Sequence, residues 1–444
     1  MDLCQGGLSL RFFKKTRRRA CVIGLDGVPC SLVRRFVADG TMPVMAELAA
    51  QGTFHKMKVS LPEISSVSWT SFMTGTGPGE HGIFGFIDLK PGSREMRFPN
   101  FRDVKAPTLW DRLGKKGMTS VVLNQPSTYP ARPIHGAMVS GFVALDLQKA
   151  VFPARYFSDL KRANYELDID TQRARNDSEY LIQSLDSSLE GRRAALDLFW
   201  DKVDWDYFQI VITGTDRLQH YLWNAIDDDT HPYHEAVRDY YRKVDRFIGR
   251  TVDRFKEKVA KEDGLSGLFL LSDHGFTGLK REFNLNTWLR ESGYQHLDNP
   301  DAPSLNQLAP STRAFVLDPS RIYLNRKDRF IDGCVPAEAV SDLIDEISHK
   351  LLSVRFERMP VVQRVIPCKE IYAGPQAIHG PDLIVLTHYG FDAKGALGKK
   401  AVFTETDLQG MHTWDDAFFW AGEKRSDDLK IEDLAPLIES ALSP

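Results

Sequence analysis

The sequence predicts an α/β protein with a mostly parallel central sheet sandwiched between helices. Two observations carry this expectation. The apolar runs in "ACVIGLDG" (20–27), "TSVVLNQP" (119–126), "DWDYFQIVITGTD" (204–216) and "LSGLFLLSDHG" (265–275) lack polar alternation, as expected of strands buried on both faces. Between them lie stretches with helical apolar spacing, several closed by glycine, so strand and helix alternate along the chain. At 444 residues the chain is long enough for one large α/β core carrying inserted segments.

Residues 1–19 hold "FFKKTRRR", the only strongly basic block. No run of apolar residues follows the charges as a secretory signal would require, so this stretch reads as a solvated N-terminal arm. One large domain is then expected over 20–444. "ACVIGLDG" opens it as a strand ending at Asp26 and Gly27, followed by the helical patterns "SLVRRFVADG" and "MPVMAELAAQG". In "LPEISSVSWTSFMTGTGPGEHGIFGF" (61–86), Ser65 falls at a helix N-cap position and Gly75 ends the short helix. "TLWDRLGKKG" is the helix that feeds the strand at 119–126.

A polar, helical segment at about 143–200 interrupts the alternation, and a second interruption spans about 295–370; both read as insertions forming a cap or pocket wall. Between them, Val237, Tyr241, Val244, Ile248, Val252, Phe255 and Val259 form the packing stripe of a long helix over roughly 235–259.

Lys and Arg number 57 against 60 Asp and Glu, and the formal charge of -3 gives no electrostatic case for nucleic acid as a main partner. No stretch approaches the roughly 20 apolar residues of a membrane span. Five cysteines, at 4, 21, 30, 334 and 368, are odd in number and without CxxC spacing. That excludes neither free thiols nor function, but it argues against a disulfide framework or thiolate zinc site, and a cytoplasmic setting is the simplest expectation.

Open α/β sheets place their sites beyond the carboxyl ends of the strands. Asp26 ends the first strand. Asp216 follows "YFQIVITGT", with His220 four residues on and so on the same helical face. Asp273 and His274 end "LFLLSDHG", and His412 precedes the apolar "AFFWAG". Each alone has an ordinary reading as a cap or a satisfied buried polar group. Three aspartates and three histidines at separate element ends together point to divalent cations. Ser65 adds a hydroxyl in the field of a helix N-terminus, where phosphate oxygens are also favoured.

In these residues the chain resembles the alkaline phosphatase superfamily. The match lies in its type I phosphodiesterase/nucleotide pyrophosphatase branch, especially the predicted phosphohydrolase or phosphomutase group. The motifs are "GLDG", "LPEISSVSWTSFMTGTGPGEHGI", "TGTDRLQHYLW", "FLLSDHGF", "GPDLIVL" and "GMHTWDDAFFWAG", in family order over about 20–422. The resemblance implies an alkaline phosphatase-like fold and a metal-dependent phosphoric ester hydrolase. It implies Asp216, His220 and His412 at one metal and Asp26, Asp273, His274 and the nucleophile Ser65 at a second. His81 and Gly82 of "HGI" match an element expected to serve the fold.

Two cations address the difficulty of phosphate esters, an anionic centre and a poor leaving alkoxide, by lowering the serine pKa and neutralising the leaving oxygen. Mixed nitrogen and oxygen donors suggest zinc, with manganese or magnesium as alternatives. A covalent phosphoseryl intermediate splits the hydrolysis into two steps.

The chain departs from the branch pattern in having serine as nucleophile and no asparagine in "FGFIDLK" after "HGI". This leaves a phosphomonoesterase or phosphomutase/phosphoryl transferase beside the diester or nucleotide-type pyrophosphate hydrolase. A non-catalytic scaffold is the remaining reading, and metal content separates it from the enzymes. The substrate is expected to be a small-molecule phosphate ester; the sequence leaves the oligomeric state open.

Overall fold

The computed structural model describes residues 17–259, 264–299, 301 and 303–443. Its central sheet contains β1 (Ala20–Leu25), β2 (Thr53–Met57), β3 (Ser120–Gln125), β4 (Gly136–Ser140), β5 (Val151–Phe152), β6 (Tyr207–Ile212), β7 (Leu268–Leu271) and β8 (Ala417–Ala421). The strand order is β2-β8-β7-β1-β6-β3-β4-β5. The run from β7 to β4 is parallel, while β2, β8 and β5 are antiparallel additions at the two sides. This is the mostly parallel, helix-flanked sheet the apolar runs predict.

Both faces of β1 are buried, and its residues divide between two cores. Cys21, Ile23 and Leu25 enter a core shared with α2 (Ser178–Lys202), α3 (Gly214–Asp227) and α4 (His234–Lys258). Ala20 and Val22 enter the opposite core, with Trp69 and Phe72 of α1 (Ser65–Thr74) and Leu434 and Ile438 of the last helix. Gly24 lies under the Trp69 ring, where a β-carbon would collide with the indole. The missing side chain thus lets the serine-bearing helix sit down on the sheet.

The 143–200 segment contributes to this main body: Leu181, Leu185, Leu189, Leu196 and Phe199 of α2 are buried in the first core. The second interrupting segment builds a separate layer. Strands Ala314–Leu317, Arg321–Leu324, Leu383–Thr387 and Val362–Pro367 form an antiparallel sheet in that order. Helix Val340–Leu352 packs against it through Ile347 and Leu351, in a core of its own with Phe283, Leu289 and Val385.

Most of the basic arm lies outside the described residues. Its end is held, since Arg19 pairs with Asp204 at 2.9 Å and Arg17 with Asp204 and Asp206. The expected solvated character therefore does not extend to these arginines, whose partners are the carboxylates just before β6. Among the described residues no helix is long and apolar enough to cross a membrane.

Candidate active site

The site forms at the carboxyl end of the sheet, where β1, β6 and β7 stop. Asp26 follows β1 directly, and Asp273 and His274 follow β7 within three residues. Asp216 and His220 occupy the first turns of α3, which begins two residues after β6. His412 arrives on the strand Gly410–Thr413, which pairs antiparallel with Gly275–Gly278 and sets His412 opposite Phe276. Ser65 is the first residue of the helix Ser65–Thr74. All seven residues singled out in the sequence thus come together.

Backbone contacts fix the cluster. Gly27, with φ of 68°, donates its N–H to Asp273 Oδ1 at 3.0 Å, and a β-carbon there would lie 2.9 Å from His274. From α3, Thr215 donates its hydroxyl to the Asp26 carbonyl at 2.6 Å and Gln219 its amide to the Gly27 carbonyl at 2.9 Å. The helix that carries Asp216 and His220 is in this way locked to the strand end that carries Asp26.

The three histidines share one orientation. His220 Nδ1 lies 3.2 Å from the Gly410 carbonyl, His274 Nδ1 3.0 Å from the Gly275 carbonyl, and His412 Nδ1 2.9 Å from the Glu63 carbonyl. A carbonyl only accepts, so each Nδ1 carries the proton and each neutral ring presents the Nε2 lone pair inward. Those nitrogens meet other acceptors. His412 Nε2 is 3.1 Å from His220 Nε2 and 3.2 Å from Asp216 Oδ1; His274 Nε2 is 3.4 Å from Asp273 Oδ2 and 3.6 Å from Asp26 Oδ1. Asp216 Oδ1 and Asp273 Oδ2 are buried without a hydrogen-bond donor. Converging lone pairs with orphaned carboxylate oxygens are the donor set of a cation, and the residues present suit one. The potential ligands form two groups, Asp216, His274 and His412, and Asp26, Asp273 and His274. His274 belongs to both and stacks on His412, with ring centroids 3.8 Å apart.

Electrostatics follow burial. Desolvation, with the charges of Asp273 and Asp216, holds the Asp26 carboxyl well above its ordinary range, and burial pushes Asp273 up to about 7. Burial also pushes His274 down to about 4, which keeps the ring neutral. For Asp216, burial acts upward, but the attraction and hydrogen bonds that His220 and His412 supply when they hold a second proton, in place of a cation, outweigh it and bring the carboxyl well below the usual range.

Ser65 Oγ lies 3.2 Å from both Asp26 Oδ1 and His274 Nε2. Its expected N-cap role is corrected here: Ile64 is the N-cap residue and Ser65 is the first helical residue, making no capping bond. The hydroxyl is turned to the carboxylate and imidazole instead. Ser66 Oγ is buried without a hydrogen-bond partner.

His81 provides the contrast. Its Nδ1 accepts the Ile83 N–H at 3.1 Å, so Nε2 carries the proton and donates to Ser71 Oγ at 2.9 Å. Both nitrogens are satisfied inside the fold, and burial lowers its pKa to about 3. His81 braces the serine helix away from the cluster, and Gly82 ends its short helix with φ of 76°.

Arg217 was not singled out by the sequence reading. Its Nη1 meets Asp216 Oδ2 at 3.1 Å, its Nη2 meets Asp168 Oδ2 at 2.7 Å, and its Cζ sits 4.4 Å from the centroid of the Phe142 ring. The sequence signal was only a charge beside a candidate ligand, indistinguishable from a solvated helix residue. Thr215, Gln219 and the Glu63 carbonyl were equally silent, because their contribution is a contact with distant backbone.

Comparison with solved structures agrees with the architecture. Phosphonoacetate hydrolase from Sinorhizobium meliloti 1021, in complex with phosphonoformate, superposes with a TM-score of 0.63 at 14% identity, covering 96% of each chain. Human ectonucleotide pyrophosphatase / phosphodiesterase 5 gives 0.57 at 13% identity over 96% of this chain and 95% of the other. A mutant of the alkaline phosphatase PafA gives 0.55 at 14% identity, covering 96% of each. At these identities the likeness concerns the fold. A search of curated proteins finds no match. The family profile described as Type I phosphodiesterase / nucleotide pyrophosphatase matches residues 20–415, nearly the whole chain, and the protein belongs to that family of phosphoric ester hydrolases.

Proposed function

We propose that the protein is a metal-dependent phosphodiesterase in which Ser65 is the nucleophile. The observation that carries this reading is the set of inward Nε2 lone pairs and orphaned carboxylate oxygens beside a serine hydroxyl. Asp216, His220 and His412 would hold one divalent cation and Asp26, Asp273 and His274 a second, with zinc favoured by the nitrogen and oxygen donors. When bound, such ions supply Lewis-acid neutralisation of charge on the reacting oxygens.

The chain's own part is positioning. The first turn of the helix Ser65–Thr74 holds the serine Oγ 3.2 Å from Asp26 and His274, ready to lose its proton as it attacks phosphorus. The serine proton passes toward the Asp26 carboxylate or His274 Nε2, one ester oxygen leaves as the alcohol, the phosphoryl group with its remaining ester substituent stays on Ser65, and water releases it as a phosphomonoester in a second step. Asp273 and His274 are fully buried, whereas His220 and His412 retain 20% and 18% exposure, so substrate and water approach from the His220 and His412 side.

A monoester reading is disfavoured by the state of Arg217. Its charge is already matched by Asp216 and Asp168, so the second negative charge of a monoester finds no spare guanidinium there. The test is metal content with acid-quench trapping. Purified protein should carry close to stoichiometric divalent metal, lose activity on chelation, and yield Ser65 carrying the phosphoryl group with its remaining ester substituent when a diester turnover is quenched. Full activity without metal, or no phosphoenzyme under single-turnover conditions, would refute the corresponding half.

A further inference from the structure

Next to the serine, the surface opens into a cavity of about 590 Å³ whose lining includes Ser66, Phe86, Phe98, Tyr129, Phe142 and Leu145. No charged side chain is among its lining residues in the described part of the chain. The polar ones are few, and Ser127 already donates to the Ser66 carbonyl at 3.4 Å. The mouth is apolar as well. Phe98, Leu145 and Val143 are 75%, 82% and 46% exposed, so three of the ten large apolar residues exposed in the described chain crowd a single opening. Exposed apolar side chains are ordinarily scattered, and a cluster of them marks a contact surface.

The walls are pre-built. Phe86 meets Phe142 edge to face, with centroids 5.3 Å apart, and Phe142 is in turn backed by Arg217. The wholly buried Arg321 reaches from the second sheet to Asp88 at 2.7 Å and to the Ile87 carbonyl at 2.6 Å, which pins the loop presenting Phe86 and Ile87. A pocket held open in this way spends little of its binding energy on ordering.

We infer that the cavity receives an uncharged alkyl chain of the phosphodiester and that the rim extends the contact, so that the substrate is an amphiphile. The inference rests on the reading of Ser65 as nucleophile: the cavity wall contains Ser66, one residue along the same helix. A nucleotide suits it poorly, because base edges, sugar hydroxyls and further phosphates would lose water against a lining with few donors and no cation. A second copy of the chain suits it poorly too, since covering this mouth would close a surface adjoining the serine.

The experiment uses metal-loaded protein and 4-nitrophenyl diesters whose second substituent is methyl, butyl, octyl or thymidin-5′-yl, below any aggregation threshold. Octyl should exceed methyl in kcat/KM by about tenfold or more, the range that added methylenes give in apolar pockets. Phe98→Ser and Leu145→Ser, both at exposed positions, should each lower the octyl-to-methyl ratio at least about threefold. A flat ratio, or a preference for the thymidinyl ester, overturns the inference while leaving the hydrolase reading intact.

Calorimetry with octyl methyl phosphate on Ser65→Ala protein reads binding without turnover. Binding weakened by Leu145→Ser in that background, with no hydrolysis of any ester by wild type, would keep the cavity assignment and sink the hydrolase reading. Absence of both binding and hydrolysis overturns both. A dimer in size-exclusion chromatography that Leu145→Ser dissociates would assign the rim to a second copy instead.

Discussion

Replacing Arg217 by methionine separates a positioning role from a purely structural one. The guanidinium is 14% exposed and engages Asp168 through both Nε and Nη2, at 3.3 and 2.7 Å, while Nη1 holds Asp216 Oδ2 at 3.1 Å. Breaking a fully buried pair costs about 3–5 kcal/mol, and the 21% exposure of Asp168 moves the figure toward about 2 kcal/mol. Loss of the contact with Phe142 adds about 1 kcal/mol. With an unfolding entropy of about 2.1 cal/mol/K per residue, 3 kcal/mol lowers Tm by only about 3 °C in a chain of 444 residues. Metal affinity should change far more. Arg217 occupies Asp216 Oδ2 and leaves Oδ1, the orphaned atom, for a cation, and removing such a partner costs about 10–100-fold. The assay is metal stoichiometry against graded chelator, read beside a thermal melt. Arg217→Lys should recover part of the affinity, because an ammonium reaches one carboxylate but cannot bridge two. Asp168→Asn should lose less than Arg217→Met, since the contact with Asp216 survives. Wild-type metal affinity and turnover within twofold in Arg217→Met would refute the positioning role.

Ser65→Ala should abolish phosphoenzyme and most turnover, whereas Ser66→Ala should cost far less and hold or raise Tm, because it removes a buried hydroxyl with no partner; phosphate mapped to Ser66 by peptide analysis would reverse the assignment. Chelated protein should lose stability as pH rises from about 4 to 7, because Asp273, at about 7 when folded and about 3.9 when unfolded, binds its proton more tightly in the native state and Asp26 is shifted the same way, while His274, lowered to about 4, opposes them as one group against two and only below about 6.5. Metal-loaded protein should lack this slope, so parallel Tm curves for the two forms across that range would contradict the carboxylate assignment. His412→Ala should remove metal with a modest change in Tm, while His81→Ala should lower Tm and spare metal stoichiometry in the protein that folds; calorimetry and metal analysis on both variants check the division, and metal loss from folded His81→Ala would refute it.

The fold was legible because the parallel strands are continuous apolar runs, and the site because its three aspartates sit within four residues of strand ends, with His274 beside Asp273 and His220 one helical turn after Asp216. Periodicity marks β1, β3, β6 and β7 without help from tertiary contacts. It also placed the long helix within one residue of His234–Lys258 at each end. The organisation of the segments between these elements was less legible. Residues 143–200 look polar, yet α2 has one buried face on the sheet core, and a helix that is half solvated over 25 residues dilutes its apolar signal.

What pattern cannot carry is orientation. "SSVSW" contains two adjacent serines with the same chemistry, and only the start of the helix at Ser65 turns one hydroxyl to Asp26 while leaving the other without a partner. The same holds for the histidines. His81 and His274 both precede glycine in the sequence, yet one gives its Nδ1 lone pair to the Ile83 N–H and the other gives its Nδ1 proton to the Gly275 carbonyl. That single inversion decides which ring is a closed brace and which offers a lone pair to a cation. It depends on the path of the backbone one and two residues later, a quantity fixed only when the strand Gly275–Gly278 finds its partner strand, with Thr413, 138 positions on, paired opposite Gly275.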